Sequence, residues 1–513
     1  MAPIRLLRGF VTVGGWTLLS RILGFVREIA IAATLGAGPM AEAWVIAWSL
    51  PNMFRRFFAE GAFNMAFVPM FSKRVEAGEG AHEFARDAFT GLATILIAFT
   101  LLALAFMPAL VLAMASGFMD DARFELTTLY GRIAFPYILL ISLAALLSGV
   151  LNAVGRFTAA AAAPVLLNVI FIATLSVAYY LGWDTGLTLV WSVPVAGIAQ
   201  LAIVWVAASR AGYRLIPRRP RMTPELKRLA IIAAPAALAG GVVQVNLLVG
   251  RQVASYFDGA VAWLYYADRL YQLPLGVVAI AIGVVLLPDL SRKLQAGDDE
   301  GGRHSLSRAG EMALALTVPA SVALILIPMP LVGVLFERGA FTADDTAATA
   351  LAVQIYGLGL PAFVLQKVLQ PVFFAREDTK TPFYYALVSM LVNAGLAIGL
   401  SPWLGFIAAA IGTTVAGWIM VLQLWLGARR FGDVTRFDSR FRSRIWRIGL
   451  AAWAMGGVIW ALALVIGPLL SISGVKFAAL FGLVLIGLVS YGLFGRLFGA
   501  FRLSDFRAAV KRG

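Results

Sequence analysis

The stretch AFTGLATILIAFTLLALAFMPALVLAMA, at residues 88–115, carries no charged side chain over 28 residues. About 20 mostly apolar residues suffice for a helix to cross the hydrocarbon core of a bilayer. The whole chain has this character, since 61% of its 513 residues are hydrophobic and 13% are charged, with a mean hydropathy of +0.86. Soluble domains carry about 45–50% apolar and about 25% charged residues. The composition therefore predicts an all-α polytopic membrane protein.

Apolar runs of this kind predict fourteen transmembrane helices. The predicted spans are roughly 10–35, 40–71, 88–115, 127–152, 160–182, 186–208, 228–256, 261–290, 309–335, 347–374, 382–401, 404–427, 446–467 and 472–496. The first span contains Arg21 and Arg27, and no small-residue cleavage site follows a clean apolar core. It is therefore interpreted as a retained helix rather than a signal peptide.

The basic residues indicate the orientation of these spans. Most of the 42 lysines and arginines lie at the termini and in alternate loops, above all at 210–228 and 429–447. The opposite loops hold Arg123, Arg338 and Lys476 together with several acids. This positive-inside pattern predicts that both termini are cytoplasmic. The net charge of +15 is then explained by topology and by attraction to anionic lipid, not by nucleic-acid binding.

The chain also contains an internal repeat. Ala43-Trp44 recurs 219 residues later as Ala262-Trp263, and the Pro-x-x-Ser-Lys pattern at 69–73 recurs at the same offset at 288–292 with Arg in place of Lys. The matches are collinear, so six spans are predicted to be duplicated in the same orientation, which is a transporter architecture. The predicted parts are two six-helix lobes, followed by two additional helices with a cytoplasmic tail: 1–210, 211–430 and 431–513.

Charged residues inside the predicted spans are the candidates for a functional site. The eight basic residues are Arg21, Arg27, Arg55, Arg56, Arg132, Arg251, Arg269 and Lys367. The four acids are Glu28, Glu42, Glu60 and Asp268. A charge at a helix centre costs at least about 2.5–3.5 kcal/mol on insertion scales. Because the acids can pair with only half of the cations, the others must face water or a bound anion.

One side of the second span is polar. Asn52, Arg56, Glu60 and Asn64 recur every four residues and therefore share one helix face. Arg56 and Glu60 have the spacing of an ion pair, whereas Arg55 points about 100° away. Arginine keeps its charge and offers a planar fork of donors to phosphate oxygens. The cluster therefore predicts a diphosphate-sized anion site.

Two other roles remain open for intramembrane cations, namely snorkelling to an interface and locking two helices together. They apply above all to Arg132, Arg251 and Lys367. The chain has no cysteine, and its two histidines, His82 and His304, fall in charged stretches outside the spans. No phosphate-binding loop for a nucleotide is present. The sequence therefore predicts no catalytic residue, no metal site and no cofactor, and the protein is not expected to be an enzyme.

Five local sequences closely resemble the MurJ (MviN) family of lipid II flippases. They are SRILGFVRE at 20–28, LPNMFRRFFAEGAF at 50–63, FPYILLIS at 135–142, YYADRL at 265–270 and TKTP at 379–382. The resemblance implies an inner-membrane transporter of the multidrug/oligosaccharidyl-lipid/polysaccharide exporter superfamily. Such a transporter moves lipid II, the undecaprenyl-diphosphate-linked disaccharide-pentapeptide, from the cytoplasmic to the periplasmic leaflet for peptidoglycan synthesis. Membrane lipids and other cell-wall synthesis proteins are the further expected partners.

The resemblance also implies a substrate site and a mechanism. Family arginines at the positions of Arg21, Arg27, Arg55 and Arg269 line a central cavity, and Glu42 stands where aspartate is usual. The implied mechanism is alternating access around this cationic cavity, with spans 13 and 14 framing an apolar groove for the lipid tail. The predicted substrate-binding residues are Arg21, Arg27, Arg55, Arg269, Glu42, Asn52, Arg56, Glu60 and Asp268.

Other classes of membrane protein are the alternatives. Another exporter of the same superfamily would carry a different polyprenyl-diphosphate glycan or a drug, but a cation-coupled drug exporter needs acidic or aromatic residues in its cavity, and this excess is basic. A lipid-linked glycosyltransferase or diphosphatase needs paired acids or a metal motif. The acids Asp298, Asp299 and Glu300 lie in a glycine-rich stretch typical of a solvated turn. A structural scaffold leaves the buried charges unexplained.

Overall fold

The computed structural model describes the backbone of residues 3–55 and 62–501, and their side chains outside short segments within 3–11, 62–65, 234–247, 277–287 and 433–434. The described residues are helical apart from turns and one isolated β-bridge between Arg338 and Phe341. Helices lie at the positions of all the predicted spans. Ten of them, among the described residues, are long and apolar enough to cross a membrane. The all-α membrane fold is therefore confirmed, while the number of fourteen spans stays a prediction.

The first ten helices precede residue 255. They are α1 Pro3–Leu35, α2 Pro39–Arg55, α3 Ala62–Ala77, α4 Ala81–Ala105, α5 Met107–Ala115, α6 Ala122–Ala134, α7 Tyr137–Ala153, α8 Thr158–Leu181, α9 Thr185–Arg210 and α10 Pro224–Ala254. The following nine are α11 Ala260–Gln295, α12 Asp299–Leu326, α13 Pro328–Phe336, α14 Ala343–Phe374, α15 Lys380–Leu404, α16 Ile407–Ala428, α17 Ser439–Val465, α18 Gly467–Ser471 and α19 Lys476–Leu497.

Local sequence explains many of the helix ends. Prolines at the first helical positions begin α5 and α13, where a missing N–H costs nothing. Asp121 caps α6 by accepting from the Arg123 N–H at 2.7 Å, and Thr342 forms a capping box at the start of α14. Asp121 and Thr342 are 221 residues apart. The two helix starts, at α6 and α14, thus recur with nearly the spacing of the sequence repeat.

The chain divides into two compact units, unit 1 at Met1–Ala262 with Arg338–Phe341 and unit 2 at Trp263–Glu337 with Thr342–Gly513. In unit 1, α8 packs between α1 and α9, α2 packs on α6 and α7, and α10 packs on α3, α4 and α5. Packing therefore groups α10 with the first half of the chain. The lobe boundary predicted at residue 210 describes the sequence repeat and stays a prediction.

The interior of unit 1 is aromatic where α2, α7 and α8 meet. Trp44 and Trp48 stack with ring centroids 5.5 Å apart. Phe171 meets both indoles edge-on, and Tyr137 packs against Trp48 at 5.4 Å. Offset and edge-on aromatic pairs are favourable beyond the area they bury. This cluster fixes the part of α8 that carries the polar residue Asn168.

Unit 2 has a core between α12, α14 and α16, and α15 packs on α16. The two C-terminal helices α17 and α19 attach to this core through α12. The Tyr491 hydroxyl donates to the Ala315 carbonyl at 2.7 Å. Arg308 of α12 donates to both oxygens of Asp438, the residue that caps α17, at 2.7 and 2.6 Å. Polar contacts therefore join both α19 and the start of α17 to α12.

Candidate functional site

The predicted arginine of α1 lies in a cluster with α8. Arg27 Nη1 donates to Asn168 Oδ1 at 2.9 Å, and Arg27 Nη2 forms an ion pair with Glu28. Asn168 Nδ2 donates to the Ser20 carbonyl at 3.0 Å, and Phe171 lies 5.7 Å from the guanidinium. We call Arg27, Glu28 and Asn168 the α1–α8 cluster.

The side chains of the α1–α8 cluster are largely buried from solvent. The side chain of Arg27 is 14% exposed and that of Glu28 is 3% exposed, and Asn168 is buried. The Nε of Arg27 is buried and has no hydrogen-bond partner among the described residues. An unsatisfied buried donor of this kind costs about 1–3 kcal/mol. The cluster thus holds an arginine that is paired with a carboxylate and whose buried Nε–H is unused.

Glu42, a predicted substrate-binding residue, has a different partner. Its Oε2 accepts from Arg123 Nη1 at 2.9 Å, and its Oε1 accepts from the Val261 N–H at 3.2 Å. Arg123 also pairs with Asp121 at 2.6 Å and with Asp258 at 3.1 Å. We call Glu42, Arg123, Asp121 and Asp258 the Arg123 cluster. Glu42 is therefore enclosed in a network of ion pairs, and its predicted contact with substrate stays a prediction.

The Arg123 cluster joins α2, α6 and the turn between α10 and α11. The guanidinium of Arg123 lies 4.4 Å from the ring centroid of Phe118. By donating to Asp121, Arg123 also holds the pKa of that carboxyl below its ordinary value of 3.8. Next to it, the Gly117 N–H donates to Ser255 Oγ at 3.0 Å. A Cβ on Gly117 would lie 2.5 Å from the Ser255 carbonyl carbon, so glycine is required for this close approach.

The remaining predicted residues are distributed over both units. In unit 1, Arg21 is exposed on α1, and Asn52 Nδ2 donates to the Trp48 carbonyl at 2.7 Å. Arg55 is half-buried at the end of α2. Arg56 and Glu60 lie outside the described residues, so their predicted ion pair is untested.

In unit 2, two predicted residues lie side by side on α11. Gln272 donates to Asp268 one helical turn away. The Arg269 guanidinium lies 4.5 Å from the ring centroid of Tyr265, which is a cation–π contact. The side chains of Asp268 and Arg269 are half-buried. Within the motif YYADRL, Arg269 thus contacts the aromatic ring of Tyr265, and the motif's acid Asp268 accepts a hydrogen bond from Gln272.

Two functional candidates were missed in the sequence. Arg123 was assigned to a loop, and only its neighbour Asp121 hinted at an ion pair. Asn168 had a clearer signal, because it is a polar side chain within the apolar helix α8 and buried polar groups in spans are typically hydrogen-bonded or functional.

Comparison with known proteins decides the family. The family model described as lipid II flippase MurJ matches residues 31–484. The chain belongs to the MurJ family of lipid II flippases. A probable lipid II flippase MurJ of Rhizobium tropici is 48% identical over 436 residues, covering 84% of this chain and 82% of that protein. One of Rhizobium meliloti (strain 1021) is 46% identical over 518 residues, covering 99% and 97%.

A solved structure supports the same conclusion. The chain superposes on a lipid II flippase MurJ in an inward closed conformation with a TM-score of 0.78 and 27% identity, covering 95% of this chain and 98% of that one. MurJ proteins are transporters that carry out no covalent reaction, so the prediction that the chain is not an enzyme is confirmed. The resemblance read from the local motifs is also confirmed, and the chain is a multi-pass membrane protein.

Proposed function

We propose that this chain moves lipid II from the cytoplasmic to the periplasmic leaflet of the inner membrane by alternating access. Membership of the MurJ family supports the substrate, and the long apolar helices support the membrane location. The positive-inside distribution of lysine and arginine supports cytoplasmic termini. Cell-wall synthesis proteins that make and use lipid II are its partners under this proposal.

The α1–α8 cluster is the observation that carries the proposed site. Arg27 is held by one carboxylate and one amide inside an apolar unit, while Arg21 on the same helix is exposed. The predicted first span at 10–35 carries one acid, Glu28, for its two arginines, Arg21 and Arg27. A diphosphate would supply the missing negative charge and an acceptor for the unused Nε–H of Arg27 once the side chain turns.

The arginines proposed to bind the substrate are Arg21, Arg27 and Arg55, which belong to unit 1, and Arg269, which belongs to unit 2. Asn52, Arg56, Glu60, Glu42 and Asp268 complete the set of proposed substrate-binding residues. Arg269 is assigned by the family resemblance together with its half-buried place on α11. The polyprenyl tail would remain in or near lipid while the charged head group crosses.

The test is flipping in cells depleted of their own lipid II flippase. Arg27→Ala and Arg269→Ala should leave newly made lipid II in the cytoplasmic leaflet, whereas the wild-type chain should restore its appearance outside. Arg132→Ala is the matched control, because Arg132 is an exposed arginine of α6 outside the proposed site. Normal flipping by a well-expressed Arg27→Ala variant would reject the site, and unchanged lipid II distribution upon depletion would reject the substrate.

A further inference from the structure

A cationic pocket in unit 2 is lined by none of the proposed substrate-binding residues. It encloses about 540 Å³ where the end of α16 meets the start of α17. Both helices belong to candidate membrane spans, Ile407–Gly432 and Ser439–Val465. The turn between them therefore lies at a membrane boundary. Its lining combines three arginines with aromatic side chains: Arg429, Arg436, Arg442, Trp425, Phe437, Phe441 and Trp446.

The charges around this pocket do not balance. The segment 429–447 contains seven arginines and two aspartates. The nearby carboxylates Asp438 and Glu311 are already engaged, by arginines that do not line the pocket: Arg308, Arg440 and Arg444. Arg429 and Arg442 are exposed and form no ion pair among the described side chains. Arg429 and Arg442 therefore bring positive charge to the pocket that no carboxylate among the described side chains neutralises.

The aromatic residues give the pocket an apolar wall. Phe437 and Phe441 stack with centroids 4.1 Å apart, and the Arg429 guanidinium lies 3.9 Å from the Trp425 ring centroid. Trp446 is 78% exposed at the rim. Tryptophan at such a boundary favours the head-group level of a bilayer. A ligand that is anionic at one end and apolar at the other matches this combination.

We propose that this pocket binds the phosphate of an anionic glycerophospholipid. Arg429 and Arg442 donate to the phosphate oxygens, and Trp425 and Trp446 lie against the glycerol and the upper acyl chains. Basic pockets beside transmembrane helices are suited to anionic lipid head groups. The lining residues Phe437 and Phe441 flank Asp438, which caps α17 and binds Arg308 of α12, so lipid bound here would stabilise the attachment of α17.

The test compares phospholipids retained by the purified full-length protein in native mass spectrometry. Phosphatidylglycerol should remain bound more strongly than phosphatidylcholine. The double variant Arg429→Gln/Arg442→Gln should bind phosphatidylglycerol about tenfold or more weakly, because two of the cations that attract the anionic head group are removed. The matched control Arg221→Gln/Arg496→Gln removes two exposed arginines elsewhere and should retain the lipid. Thermal unfolding of both variants checks that they are folded.

Three results would overturn the proposal. Equal losses in the two double variants would show diffuse attraction rather than a site. Equal retention of phosphatidylcholine would exclude selection by charge. Displacement of the lipid by excess inorganic phosphate alone would identify a small-anion site. Arg27→Ala should keep the bound phosphatidylglycerol whether or not it flips lipid II, so this test stands apart from that of the transport site.

Discussion

The α1–α8 cluster and the Arg123 cluster each place an arginine inside unit 1, but they differ in how many carboxylates pair with it. Arg123 has three carboxylate partners on three segments of the chain. Among the described residues, Arg27 has one carboxylate partner, its neighbour Glu28, and one amide partner, Asn168. An arginine surrounded by acids has little affinity left for an anion, whereas a singly paired arginine keeps donors for one. The same side chain thus serves as a structural tie in one place and as a candidate ligand-binding group in the other.

The largest expected effect is the loss of stability when the arginine of the Arg123 cluster is removed. Arg123→Ala leaves the buried carboxylate of Glu42 without its partner, and breaking one side of a buried pair costs about 3–5 kcal/mol. The thermal unfolding temperature in detergent should fall clearly. Arg132→Ala, on the same helix but exposed, should change it little.

Adding Glu42→Gln to Arg123→Ala should recover part of the lost stability, because the unpaired charge is then removed. If Arg123→Ala unfolds at the temperature of the Arg132→Ala control, the Arg123 cluster is not a structural tie and the contrast between the two clusters disappears.

A substitution in the α1–α8 cluster should lower lipid II flipping more than it lowers stability. Asn168→Leu removes the amide that orients Arg27, and a hydrogen bond to a charged group contributes about 1.5–3 kcal/mol. We expect lipid II flipping to fall at least about tenfold. The leaflet assay measures this loss, and expression level and thermal unfolding are recorded beside it.

Gln200→Leu is the matched control for that variant. Gln200 is also a buried amide of unit 1 and bonds to Tyr137 and to the Ala163 carbonyl, but it lies outside the proposed site. It should lower stability without a specific loss of flipping. Equal transport defects in the two variants, at equal stability, would remove the special role of the α1–α8 cluster.

The smallest effect is a pH dependence of the Arg123 cluster. The pKa of Asp121 is lowered in the folded protein by its hydrogen bonds from Arg123, so its contribution to stability is complete above the ordinary value of 3.8. It is lost as the pH falls through the lower folded pKa. Because the Asp121 side chain is 39% exposed, solvent screening limits this contribution to below about 1 kcal/mol.

Thermal unfolding between pH 6 and pH 3 measures this dependence. The wild type should lose slightly more stability on acidification than Asp121→Asn, which has no carboxyl to protonate there. Identical acid profiles would show that the Asp121 carboxylate adds nothing to the stability of the Arg123 cluster.

Much of the fold follows from local sequence. Apolar length places the helices, as at 88–115, and proline or a capping residue sets their ends, as at Asp121 and Thr342. The motifs around Arg27 and Arg269 identify the MurJ family without any contact being known. These features depend on residues close together in the chain, and the bilayer restricts the backbone to helices because its polar groups must be satisfied internally.

Only the tertiary structure decided which charges meet. Arg123 reaches Glu42 across 81 residues and Asn168 reaches Arg27 across 141, and no local pattern specifies such pairings. They arise because α2 packs on α6 and α1 packs on α8, which brings polar groups together inside an apolar unit where leaving them unpaired is costly. The sequence by itself determined the all-α membrane fold, the excess of cations and the family. Packing decided which of those cations are surrounded by acids, as Arg123 is, and which keep an unused donor, as Arg27 does.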